Sequence, residues 1–121
     1  MKSGWLVLSD QQTPRGWCIL LPDPVVPDLN ALNPDGRREF LIDMARAGDA
    51  LLRATGAIRI NYSILGNQEP ALHAHIQPRY ADEPPEHRKM PVWAFLSGIQ
   101  PELLDPVLHG PLIHQIRQEL C

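Results

Sequence analysis

The sequence predicts an α+β fold: an antiparallel sheet of about five strands, one long helix packed on its apolar face, and a short C-terminal helix. Three observations carry this. "AIRINYSIL" alternates, with Ile58, Ile60, Tyr62 and Ile64 on one face and Arg59, Asn61 and Ser63 on the other, the period of a strand with one wet side. From Phe40 to Leu52 the apolar residues recur at three-to-four spacing, the period of a helix with one buried side. "GWLVLSD" and "GWCILLP" are short apolar runs separated by turn residues, which predicts a hairpin.

The elements follow in order. Trp5 to Leu8 form the first strand, "SDQQTPRG" the turn, and the run between Gly16 and Pro22 the second strand. "DPVVPDLNAL" is a proline-stiffened connection. Asn33 can cap a helix and Pro34 suits its first position. Phe40, Leu41, Met44, Ala47, Leu51 and Leu52 then make its apolar face, while Arg38, Asp43, Arg46 and Asp49 lie elsewhere. Gly48 borders that face and would let another backbone approach; Gly56 suits a left-handed end. After the alternating strand, "GNQEP" leads into "ALHAHIQPRY", where Leu72, Ala74 and Ile76 share one face and Ala71, His73, His75 and Gln77 the other. Beyond Tyr80 the chain is expected to be irregular: six of its thirteen prolines lie between Pro84 and Pro111. A short amphipathic piece, Leu112, Ile113, Ile116 and Leu120, closes it.

With 121 residues, 44% of them apolar and 21% charged, one domain spanning 1–121 is expected, with the sheet and long helix in 1–80 and a proline-rich tail in 81–121 wrapping them. A net charge of −3 without a basic run argues against a nucleic-acid or membrane-surface partner. No apolar run reaches the ~20 residues of a bilayer span, and the run from Trp5 to Leu8 is too short for a signal peptide, so the expected compartment is the cytoplasm. Cys18 and Cys121 have no zinc-type spacing; Cys18 reads as a buried strand residue and Cys121 as a terminal one.

His73 and His75 sit on one strand face, and three readings compete for them. They can fill a half-buried strand. They can bind a metal, for which a third ligand is needed; the positions four and five residues on hold Arg79 and Tyr80, and His87, His109 and His114 are scattered through the tail as expected surface residues. Or a neutral imidazole can attack phosphorus, with Asn61, Asn67, Gln68 and the backbone near Gly66 supplying donors.

"INYSILGNQEPALHAHIQPRY" resembles the signature of the histidine-triad superfamily of nucleotide hydrolases and transferases, which carries three alternating histidines on a strand, a Gly-Gln or Gly-Asn turn before them and often Pro-Arg after. "LLPDPVVPDLNAL", the long helix and "PVW" extend the likeness over most of the chain. Gly66 lies five residues before Ala71 and Pro78 three after His75, so the triad positions are Ala71, His73 and His75 rather than His73, His75 and Gln77.

That register implies His73 as nucleophile and His75 as the residue meeting phosphate oxygens or the leaving group. It implies Asn61 as a ribose or phosphate contact, and Asn67 and Gln68 as phosphate contacts. Arg79, after Pro78, is a further candidate for attracting phosphate. The resemblance further implies hydrolysis or transfer at an α-phosphorus through a nucleotidyl-histidine, a nucleotide substrate, a homodimer, and no protein-bound cofactor or metal. Two positions depart from the pattern: Ala71 stands for the first histidine and Val25 for an upstream one, so a relay through those side chains is absent. The Ala71 carbonyl is expected to hold the nucleophile's ring instead. The rival reading is a nucleotide-binding module with little turnover.

Overall fold

Four strands and four helices follow one another in the computed structural model, which describes residues 1–121: β1 (Gly4–Leu8), β2 (Cys18–Pro22), α1 (Pro34–Thr55), β3 (Arg59–Ser63), β4 (Ala74–Arg79), α2 (Pro85–Arg88), α3 (Val92–Phe95) and α4 (Pro106–Leu120). The strands form one antiparallel sheet in the order β1-β2-β4-β3. The sheet has four strands where about five were expected. Beyond them the chain adds an isolated bridge between Gln11 and Leu103.

Local chemistry sets the ends of α1. The Asn33 side chain accepts the Gly36 N–H at 2.8 Å, Pro34 fills the first helical position, and Gly56 takes the left-handed conformation at φ 72°. Phe40, Met44, Ala47 and Leu51 pack on Cys18, Leu20, Leu72, Ala74 and Ile76 of the sheet side. Leu41 and Leu52, expected on this face, are instead 45% and 37% exposed. Asp43 is buried in their stead, because its carboxylate accepts both the Ser3 N–H (2.7 Å) and the Ser3 hydroxyl (2.6 Å), tethering the N-terminus to the helix. At Gly48 the close approach comes from a side chain rather than a backbone: a Cβ there would lie 2.0 Å from the Tyr62 hydroxyl oxygen, so the ring of β3 seats directly on the helix.

The tail departs most from expectation. α4 runs for fifteen residues through Gly110 and Pro111. Pro111 withdraws one helical hydrogen bond. Burial of Leu112 and Ile116 offsets this, each worth about 1.5–3 kcal/mol. Asp105 caps the helix by accepting from Val107 and Leu108, and Arg53 of α1 reaches Glu119 at 2.6 Å. His109, expected at the surface, is 2% exposed, and its Nδ1 accepts the Asp105 N–H at 2.9 Å. His87 is half-buried and stacked on Phe95 at 4.2 Å, and His114 is exposed as expected. No helix is long and apolar enough to cross a membrane.

Candidate functional site

The sheet register places the candidate residues. Opposed residues share a face, so Val7, Ile19, His75 and Ser63 form one line across the four strands. Trp5 and Leu21 pair in the adjacent line, toward His73, and Asn61 opposes Gln77 in the line on the other side. This is the face turned away from α1. It combines exposed apolar side chains (Trp5, Val7 and Leu21) with two half-buried imidazoles.

His73 lies just before β4, in a segment held to the opposite loop by the Leu72 N–H donating to the Val26 carbonyl at 2.8 Å. Its Nδ1 lies 2.8 Å from the Ala71 carbonyl oxygen. A carbonyl only accepts, so in the neutral ring Nδ1 carries the proton and Nε2 presents a lone pair. The His75 ring stands edge-on to it, centroids 5.0 Å apart at 83°. There the tautomer is reversed. The Trp17 indole N–H donates to His75 Nδ1 at 3.1 Å, and an indole has no acceptor to offer, so the His75 proton sits on Nε2. Burial, and secondarily the neighbouring His73, push the His75 pKa below that of a free imidazole. In this neutral form His75 offers its Nε2–H as a hydrogen-bond donor.

Trp17 was not singled out by sequence reasoning. It is presented by the β1–β2 loop, which the buried Gln12 staples by donating to the Ser9 and Trp17 carbonyls (both 3.0 Å) and accepting the Gly16 N–H (2.9 Å). The available signal was the pairing of Ile19 with His75, which sets Trp17 two residues away on the same face.

Asn61 and Arg79 meet each other rather than the histidines. Arg79 lies four residues beyond His75, about 13 Å along the strand. It is buried. Its guanidinium donates to Glu83 (2.9 Å), to Asn61 Oδ1 (2.8 Å) and to the carbonyls of Met90 (2.6 Å) and His87 (2.7 Å), which leaves no direction for a phosphate. Burial raises the Glu83 carboxyl, but bonds from Arg79 and the Tyr80 N–H with the charges of Arg79 and His87 outweigh it, and its pKa is net lowered. With its oxygen taken, Asn61 keeps its Nδ2 donors free, facing a cavity of about 500 Å³ that also borders Ser63, Gln77 and the exposed Trp93. Asn67 and Gln68 are exposed in the loop after β3, which Gly66 turns at φ 77°. Cys18, buried with its pKa pushed up to about 12, is inert; Cys121 is exposed. No three His, Cys, Asp or Glu side chains converge as metal ligands.

No family model matches the sequence, and no curated protein does. Solved structures do match. A histidine triad protein from Sinorhizobium meliloti is 24% identical, with 98% of this chain and 84% of that one covered and a TM-score of 0.82. One from Bradyrhizobium japonicum is 22% identical over 100% of this chain and 87% of the other, TM-score 0.83. A hypothetical histidine triad nucleotide-binding protein from Sulfolobus tokodaii is 16% identical over 95% and 76%, TM-score 0.73. The α+β architecture with its long helix and C-terminal helix is theirs: this chain has the fold of the histidine triad proteins.

Proposed function

We propose that the protein is a nucleotide hydrolase or transferase of the histidine triad type, acting at an α-phosphorus through a nucleotidyl-His73 intermediate. The observation that carries this is the Ala71 carbonyl at His73 Nδ1, because in the neutral ring it places the proton on Nδ1 and leaves Nε2 its lone pair without any help from a first triad histidine. Attack forms the P–N bond as the P–O bond to the leaving group breaks. Water then cleaves the P–N bond, the electron pair returns to Nε2, and the water's proton passes to solvent.

Other groups support the reading. The Nε2–H of His75 and the donors of Asn67 and Gln68 would hold phosphate oxygens, and Asn61 would donate to the sugar or phosphate. Arg79 would serve indirectly, by fixing the Asn61 amide. Trp5, Val7, Ile19 and Leu21 offer a flat apolar floor beside the histidines, suited to a nucleobase. A second copy of the chain would cover the stripe of Leu41, Ile42 and Leu52 and the open edge of β3, giving a homodimer.

One observation favours the second reading, a binding module with little turnover: Ala71 in place of a histidine. His73→Ala separates the two. An enzyme loses about 10⁴-fold or more of its turnover on nucleotide substrates while keeping nucleotide-induced thermal stabilisation. Wild-type protein that is stabilised by nucleotide yet forms no product identifies the binding module.

A further inference from the structure

We propose that Trp17 is a positioning residue that makes His75 a fixed hydrogen-bond donor rather than a proton donor. The site is thereby restricted to nucleotide derivatives whose leaving group departs as a stable anion, namely phosphate anhydrides. This choice of substrate class rests on the function proposed above; the assignment of the tautomer does not.

The indole N–H occupies His75 Nδ1 at 3.1 Å, with the rings 5.6 Å apart at 62°. A charged His75 would need a proton on Nδ1, where the indole hydrogen already points. Forming the charge would break this bond and set two N–H groups against each other. The groups facing His75 from neighbouring strands give no compensation. Ile19 of β2 and Ser63 of β3 carry no charge, and the one titratable neighbour that acts on it, His73, opposes a positive charge. His75 is therefore left with one proton, on Nε2. Donating that proton outright would leave an imidazolate, a base too strong to form near neutral pH. His75 can stabilise a developing negative charge by hydrogen bonding, as an oxyanion donor does, but it cannot protonate a leaving group.

The other polar side chains proposed for the site do not replace it. Asn61, Asn67, Gln68, Ser63 and Gln77 donate hydrogen bonds and are not acids near neutral pH. Position 71, where a relay histidine would stand, is alanine. When His73 Nε2 attacks, the electron pair of the breaking bond must stay on the leaving atom without a proton. A terminal phosphate tolerates this, since its second ionisation lies near ~6. An amine or an alcohol does not. The structure thus assigns nucleoside and dinucleoside polyphosphates as the substrate class, over nucleotide phosphoramidates and alkyl esters.

Two measurements on the full chain test this. The first is ¹⁵N NMR of the histidine rings between about pH 6 and 8. His75 should show an unprotonated Nδ1 and a protonated Nε2 in the wild type, and a shift toward mixed tautomers in Trp17→Phe. A protonated Nδ1 in the wild type overturns the assignment whatever the activity, and needs no variant to fold. The second compares three donors sharing one nucleotide, in adenosine and guanosine series: a dinucleoside triphosphate, the 5′-phosphoramidate and the 5′-phosphate methyl ester. The anhydride should be favoured by about 10²-fold or more in kcat/KM, the contribution a general acid would have made for the others. Its pH profile should rise to a plateau without an alkaline limb. Comparable turnover of the phosphoramidate, or an alkaline limb that disappears in His75→Gln, overturns the inference while leaving His73 as nucleophile. No turnover of any donor overturns the hydrolase reading and the substrate choice together.

Discussion

β4, with the residue just before it, carries two polar constellations on the same face, and they are built in opposite ways. At its start, His73 and His75 each have one ring nitrogen held and the other left over: a lone pair on one, a proton on the other. At its end, Arg79 is saturated, with Glu83, Asn61 and two backbone carbonyls receiving its donors. A group prepared for chemistry is fixed but incompletely satisfied. A group that holds the fold is satisfied completely. Burial alone does not separate the two, and neither does charge; the count of uncommitted donors and acceptors does.

The largest effect that would break this comparison comes from Arg79→Met. Its side chain is 7% exposed and that of Glu83 14%. Removing the guanidinium strands a carboxylate with little access to water, as well as the carbonyls of His87 and Met90. The expected loss is about 3–5 kcal/mol of stability in urea unfolding. Arg79→Met combined with Glu83→Gln should recover part of it, since the two residues share one network. His75→Gln, at the other end of the strand, should cost no more than ~1 kcal/mol while reducing turnover. If Arg79→Met unfolds at the wild-type urea concentration and instead abolishes nucleotide binding, Arg79 is a ligand and the two ends have been read the wrong way round.

Legibility followed the range of the interactions. The bounds of α1 could be read from Asn33, Pro34 and Gly56 because capping is settled within a few residues. The face of β4 could be read because alternation is local too. Asp43 looked like a solvated helix residue, and nothing near it in sequence announced Ser3, forty residues away. Trp17 and His75 are 58 residues apart, so the bond that settles the His75 tautomer has no local signature. In α4 the local signals pointed the wrong way: Gly110 and Pro111 oppose a helix, and the packing of Leu112 and Ile116 against the core overrides them. Arg79 read as a candidate for attracting phosphate, because nothing near it in sequence announced that the tail folds back to supply Glu83 and the His87 and Met90 carbonyls.

A smaller effect sharpens the histidine end. If the Ala71 carbonyl suffices to orient His73, then Ala71→His adds a side chain that the chemistry does not require. Turnover should stay within roughly tenfold of wild type, about 1.4 kcal/mol in barrier. Single-turnover rates on one anhydride substrate measure it. A gain of several orders of magnitude would mean that the carbonyl is not enough and that the native chain works chiefly as a binder.

The smallest expected effect is on stability against pH, and it bears on His75 alone. Its pKa in the folded protein lies below the free value because burial, and then His73, disfavour the charge. In the unfolded chain His75 titrates near ~6.5. Between those two values the unfolded state binds the proton and the folded state does not, so acidification favours unfolding. The contribution of neutral His75 is thus fully present above about pH 6.5, is lost progressively as pH falls toward the lowered folded value, and changes no further below it. The lowered carboxyl of Glu83 acts separately, in a more acid window beneath its unfolded pKa near ~4.3. Urea unfolding of wild type and His75→Gln at half-unit pH steps isolates the histidine term, because every other group cancels in the difference. The wild type should lose stability relative to His75→Gln as pH falls below 6.5. A wild type that gains on acidification instead would mean that His75 takes up its second proton in the folded protein, and that the Trp17 bond yields to it.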